Sequence, residues 1–308
     1  MVLAASRLQR LGQRAAAALW CGVLAWLPAP GAAHPEPAPE WRWMLADYAP
    51  TAMRRGPDAG RGFAQRMLDE VLVPGLTGFR HQKVWVPSQR MDMELAAANG
   101  SCGLLWRKTA ERSAQWLVSR PLIRLLPVGL VVRRSELERW RPFLNEAGEL
   151  SLTRVLAAER VLGVTPRAHG PVVDGLLERH PNALRRIQLL DATRVVLTML
   201  ARGHGTDAAL AYGFEVAYFN RQQQDGRAEP LATLQWLPLA EKTDLLYSHA
   251  VCSRGEVGRQ QIQALEALLE RPGVRERLQA LYEEWLSEPE RRRLHQARQQ
   301  LGARFWQE

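Results

Sequence analysis

Lysine is nearly absent from this chain. Of its 41 basic residues only Lys83, Lys108 and Lys242 are lysines, so the formal charge of +9 is almost wholly an arginine charge. A surface that binds nucleic acid gathers its cations into a patch or stripe. Here the arginines are scattered, and the one dense run, "ERRRLHQARQQ" at 290–300, reads as the solvated face of a terminal helix. No nucleic acid is expected as a partner. Catalytic signatures are missing too: there is no G-x-S-x-G, no H-E-x-x-H and no phosphate-cradling glycine loop. Cysteine is scarce. Beyond residue 33 only Cys102 and Cys252 remain, which cannot make a zinc site unaided, and only His249 stands near either. No metal or cofactor is expected.

One long apolar run is present, at the start. Arg7, Arg10 and Arg14 precede "AAAALWCGVLAWL", and "APGAAHP" follows with small residues spaced for cleavage after Ala33. That pattern is a secretory signal peptide over residues 1–33; the alternative is a retained N-terminal anchor. Trp20 before Cys21 argues against a lipoprotein. No second run of spanning length follows, so the mature chain is expected to be soluble and exported. In an oxidising compartment an even pair of cysteines reads as a Cys102–Cys252 bridge, with two buried thiols as the alternative.

Apolar spacing beyond the Pro-rich leader alternates between two periods. "WRWMLADYAP" reads as a strand stopped by proline. Phe63, Met67, Leu68, Val71 and Leu72 share one face of a helix. "QKVWVPS" is a strand, "SQRMDMELAAANG" a helix ended by Gly100, and "SCGLLW" a short buried strand. "LIRLLPVGLVVRR" is extended and broken at Pro127. "RVLGVTPRAHG" reads as strand and turn, "PVVDGLLERHP" as a helix opened by proline, and "RIQLL" as a strand. "DATRVVLTMLARG" is a helix with Asp191 as N-cap, and "TDAALAYGFEVAYF" runs from strand into helix. The tail is helical, with one stripe at Ile262, Leu265, Leu268 and Leu269 and a second from Val274 to Trp285. Strands alternating with helices over 41–106 and again over 158–212 predict an α/β protein of two parallel-sheet lobes, with a ligand crevice at the carboxyl ends of the strands.

Four stretches in order, "DYAP…GRGF…LDEV", "KTAERSAQWLVSRPL", "LGVTPRAHG" and "RGHGTDAALAYG", resemble the periplasmic solute-binding proteins of the amino-acid type. More narrowly, the chain is similar to a subgroup that keeps the two cysteines. The resemblance implies the two-lobed periplasmic binding protein (type II) fold, with a hinge and a cleft. It places a first lobe at 34–124 and 222–308 and a second lobe inserted at 125–221. It implies a monomer that serves an inner-membrane ABC transporter or a sensor. Thr109 and Arg112 would be the carboxylate clamp: a helix N-terminus with a hydroxyl and a two-pronged cation. The local alternative is a Thr cap beside a surface charge pair. Lys108 and Arg107 would add cationic contacts, and Tyr48 would stack on the ligand or serve the core.

Two positions depart from the pattern. Tyr212 stands where amino-acid binders carry the carboxylate that grips an ammonium, while Asp207 matches a residue that starts the strand structurally. His169, Gly170 and Pro171 replace hydroxyl residues in the second lobe's loop. A neutral tyrosine supplies no charge-assisted bond to an ammonium, so the expected ligand is a carboxylate without a gripped amine. Two other readings stay open. One is a dehydratase or lyase on the same fold, with His169 or Tyr212 as acid or base. The other is an interaction module with no small ligand.

Overall fold

The computed structural model describes residues 38–97, 99–189, 191–226, 231–241 and 244–308. The expected signal peptide and its cleavage point lie outside them. From residue 39 on, the chain forms one compact unit. It opens with β1 (Glu40–Leu45), α1 (Phe63–Met67), a π-helical stretch at Leu68–Leu72, α2 (Val73–Gly75), β2 (Arg80–Trp85), α3 (Met91–Ala96) and β3 (Ser101–Trp106). Next come α4 (Ala110–Gln115), β4 (Leu117–Val118), β5 (Ile123–Leu125) and β6 (Gly129–Arg133). The middle holds α5 (Leu137–Trp140), α6 (Leu152–Ala157), β7 (Leu162–Val164), α7 (Pro171–Arg179) and β8 (Leu184–Arg186). Then follow α8 (Ala192–Ala201), β9 (Ala208–Ala211), α9 (Gly213–Gln224), β10 (Leu234–Leu237) and β11 (Leu246–Cys252). The tail is α10 (Glu256–Leu269), α11 (Val274–Glu283) and α12 (Glu288–Leu301).

Two sheets result. The first has the order β2-β1-β3-β11-β4, with β5 also on β11; the second has the order β10-β6-β9-β7-β8. Each has a parallel half and an antiparallel half, so the expectation of parallel sheets is corrected to mixed ones. β1 runs parallel to β2 and β3, but β11 returns antiparallel to β3, β4 and β5. In the second sheet β7, β8 and β9 are parallel, whereas β6 lies antiparallel to β9 and β10 to β6. The lobe boundary at 221 is corrected too. β10 lies beyond it and pairs with β6 through Leu234↔Arg133 and Trp236↔Val131, which keeps the chain in the second sheet to Leu237. The strand expected at "RIQLL" sits earlier, at Leu184–Arg186, in register with Leu162–Val164.

Burial follows the apolar spacing. Trp41 and Trp43 are fully buried, with ring centroids 4.5 Å apart. The Phe63, Met67, Leu68, Val71 and Leu72 face packs into the same core as Leu265, Leu268 and Leu269 of α10. That core continues to Val196, Leu197 and Leu200 of α8 and to Phe214 of α9, so it serves both sheets. A separate core under α6 and α7 fills the other face of the second sheet. Where β5 crosses to β6, α11 holds the strand: Gln279 accepts from Arg124 N–H (2.8 Å) and donates to its carbonyl (3.0 Å), and the Tyr282 hydroxyl accepts from Leu126 N–H (3.1 Å). At the start of α9 a Cβ on Gly213 would fall 1.4 Å from Glu290 Oε1, so the approach of α12 demands glycine there. Cys102 and Cys252, partners across β3 and β11, form a disulfide.

Candidate functional site

From the first sheet, β3 delivers a cationic segment. One extra residue between Gly103 and Trp106 bulges β3 against β11, and Leu105 adopts φ +64°. A left-handed non-glycine residue costs about 1–2 kcal/mol, and the bulge turns the strand end so that Arg107, Lys108 and Thr109 leave it in sequence. The Thr109 hydroxyl caps α4, accepting from Arg112 N–H at 3.1 Å. The Arg112 guanidinium lies 4.8 Å over the Trp106 ring and donates to the Arg107 carbonyl at 2.9 Å. Lys108 pairs with Glu308 at 2.7 Å. Tyr48 comes from the turn after β1, where it exchanges backbone hydrogen bonds with Ala52 (2.8 and 2.9 Å). Its hydroxyl is buried with no hydrogen-bond partner among the described residues.

The second sheet contributes a buried cation. Arg167, in the loop after β7, directs Nη1 to Glu215 Oε1 at 2.8 Å, Nε to the Thr165 hydroxyl at 2.8 Å and Nη2 to the Thr193 hydroxyl. Its guanidinium carbon lies 5.7 Å from the centroid of Tyr48 and 5.4 Å from that of Tyr212. Tyr212 follows β9 at the N-cap of α9 and stacks on Phe214 at 5.2 Å, and its backbone N–H donates to Glu215 Oε2 at 2.8 Å. The Glu215 side chain is only 1% exposed. Burial pushes its carboxyl up to about 8, with the Tyr212 N–H pulling it back. Burial also lowers the Arg167 guanidinium. An arginine keeps its proton in proteins, so Arg167 is the fixed charge of the pair.

His169 and Gly170 open α7. The Asp174 carboxylate accepts from the His169 N–H (3.0 Å), the Gly170 N–H (3.0 Å) and the ring at Nδ1 (3.2 Å). A carboxylate only accepts, so Nδ1 carries the proton and Nε2 is a bare acceptor. The side chain is 3% exposed, and Nε2 has no partner among the described residues. Burial lowers the imidazole below its ordinary value; Asp174 opposes this, while Arg167 and Arg107 add to it. Gly170 sits at φ +111°, and a side chain begun there would lie 3.8 Å from the Arg107 guanidinium. At this point the two sheets' contributions meet.

The structure thus brings Tyr48 and Tyr212 to Arg167, brings Arg107 to Gly170, and leaves His169 within electrostatic reach of both arginines. Thr109, Arg112 and Lys108 lie on the same chain segment as Arg107, and they contact α4, Trp106, the Arg107 carbonyl and Glu308. Arg167, Glu215 and Thr193 were not anticipated. Glu215 follows Tyr212 by three residues, the spacing of a helix-capping acid, whereas a lone arginine in a loop carries no sequence signal. Asp207 is structural, accepting from Val161 N–H at 3.0 Å and pairing with Arg139 at 3.1 Å.

Two mixed α/β sheets with a polar cluster between them define a two-lobed binding-protein architecture, the periplasmic binding protein type II fold. No protein-family model and no curated protein matches the chain. Among solved structures, the periplasmic VFT2 domain of Bordetella pertussis BvgS (double mutant) is 14% identical with a TM-score of 0.55, over 80% of this chain and 93% of that one. An amino-acid ABC transporter substrate-binding protein from Streptococcus pneumoniae, bound to L-arginine, is 13% identical with a TM-score of 0.55, over 80% and 93%. A histidine kinase sensor domain with similarity to periplasmic binding proteins is 14% identical with a TM-score of 0.55, over 82% and 97%. At these identities the likeness is one of fold. No helix among the described residues is long and apolar enough to cross a membrane.

Proposed function

We propose that this chain is an exported, periplasmic solute-binding protein that holds a small carboxylate-bearing ligand between its lobes, for ABC-type uptake or for sensing. The observation that carries the reading is the cationic cluster to which both sheets contribute: Arg107 from the end of β3 beside Gly170, and Arg167 between Tyr48 and Tyr212. In this reading Thr109 and Arg112 clamp the carboxylate from the first lobe, the Arg112 guanidinium exchanging the Arg107 carbonyl for the ligand. Lys108 adds charge at the rim, and Tyr48, Tyr212, His169 and Gly170 line the remainder. Relatives in fold serve both transport and sensing, as the L-arginine-bound substrate-binding protein and the kinase sensor domain do.

Thermal unfolding against a panel of carboxylates tests the reading. A ligand at about a hundred times its Kd adds roughly 2.7 kcal/mol, which raises the midpoint by several degrees. Arg112→Ala is expected to abolish that rise. A panel of mono- and dicarboxylates, keto acids and amino acids that leaves the midpoint unmoved would refute it.

A further inference from the structure

The groups around Arg167 differ in the hydrogen bonds they still have to offer. The two acids of the cluster are already engaged. Glu215 gives one oxygen to Arg167 and the other to the Tyr212 N–H, and Asp174 receives the His169 and Gly170 amides and the imidazole. An ammonium arriving here would face two guanidiniums and no uncommitted carboxylate. Two buried polar atoms of the cluster have no partner among the described residues: the bare Nε2 of His169 and the Tyr48 hydroxyl. Arg167 uses three of its five N–H groups on Thr165, Glu215 and Thr193, leaving two donors beside them.

A ligand group in that position must donate to an acceptor and accept from a cation. An ammonium only donates and a keto oxygen only accepts, whereas a hydroxyl does both. We propose that the ligand is a hydroxy-carboxylate, its hydroxyl set between His169 Nε2 and the Arg167 guanidinium and its carboxylate on Arg107 and Arg112. The inference rests on the carboxylate reading above. Tyr48 then supplies a second hydrogen bond from the first lobe.

Matched sets of 2-hydroxy, 2-keto and 2-amino acids on the same carbon skeleton, both enantiomers included, test it by titration calorimetry on the full chain. The hydroxy acid is expected to bind at least about tenfold more tightly than its keto and amino counterparts, since an unmet buried partner costs on the order of 1–3 kcal/mol. His169→Asn keeps a donor for Asp174 but has no atom at the Nε2 position. It is expected to erase the hydroxy-over-keto preference by weakening the hydroxy acid more than the keto acid. Tyr48→Phe is expected to weaken the hydroxy acid severalfold without lowering the melting point of the unliganded protein. A keto or amino acid binding as tightly as the hydroxy acid, or His169→Asn weakening all three alike, would overturn the hydroxyl assignment. In that case Arg112-dependent keto-acid binding still supports the carboxylate reading. If none of the three classes binds, both fall.

Discussion

Arg167 and Glu215 show how a buried ion pair behaves asymmetrically at the scale of single residues. Removing one partner strands the other, but a stranded carboxylate can take up a proton and a stranded guanidinium cannot. Glu215→Gln is therefore expected to cost about 3–5 kcal/mol of unfolding free energy. Arg167→Met should cost less at mildly acidic pH, because burial pushes the Glu215 carboxyl up to about 8 and the acid stays neutral there. A carboxyl raised above its unfolded value favours the fold below that value and loses the contribution as pH rises through the folded one. The parent's carboxyl meets the guanidinium when it ionises and the variant's meets none, so the Arg167→Met loss relative to the parent is expected to grow as pH rises through about 8. Urea unfolding on either side of that pH measures it, and equal losses on both sides would refute the asymmetry.

Elements of the second lobe depend on groups distant in sequence. The N-terminus of α6 is capped by Glu241, from the connection between β10 and β11. Its carboxylate accepts from Leu152 N–H, Thr153 N–H and the Ser151 hydroxyl, each at 2.9 Å. Burial raises this carboxyl, but those donors outweigh it and hold it below the ordinary range. A carboxyl so depressed stabilises the fold above its unfolded value and ceases to do so as pH falls through the folded one. Glu241→Ala is expected to lower stability by about 1–2 kcal/mol at neutral pH. Its difference from the parent should shrink below about pH 4. A pH-independent difference in thermal midpoints would assign the loss to packing instead.

For the molecule as a whole, the Cys102–Cys252 bridge joins strands 150 residues apart, and the whole second sheet lies between its two ends. A cross-link over so long a loop chiefly constrains the unfolded chain. Cys102→Ser with Cys252→Ser is expected to lower stability by about 2–5 kcal/mol, with the ligand preference unchanged, because neither sulfur touches the Arg167 cluster. A lower urea midpoint at similar slope is the outcome to look for. Loss of the hydroxy-acid preference in that variant would mean that the bridge also sets the geometry of β3 ahead of Arg107.

Much of this architecture was legible in the residues. Period-3.6 stripes such as Leu265, Leu268 and Leu269, and the helix opened by Asp191, depend on neighbours three or four residues apart and can be read locally. The strand mistaken at "RIQLL" could not be, because Leu184–Arg186 is selected by pairing with β7 rather than by its own apolar content. The same holds for β10, which belongs to the second sheet only because β6 offers it an edge. At the site, the residues themselves displayed the cationic segment after β3, and the family resemblance marked Tyr212 as standing where an acid would be expected. Only the tertiary structure put Arg167 between two tyrosines and engaged it with Glu215 across 48 residues of chain. A buried charge is decided by what surrounds it in space, and that is information a linear pattern does not hold.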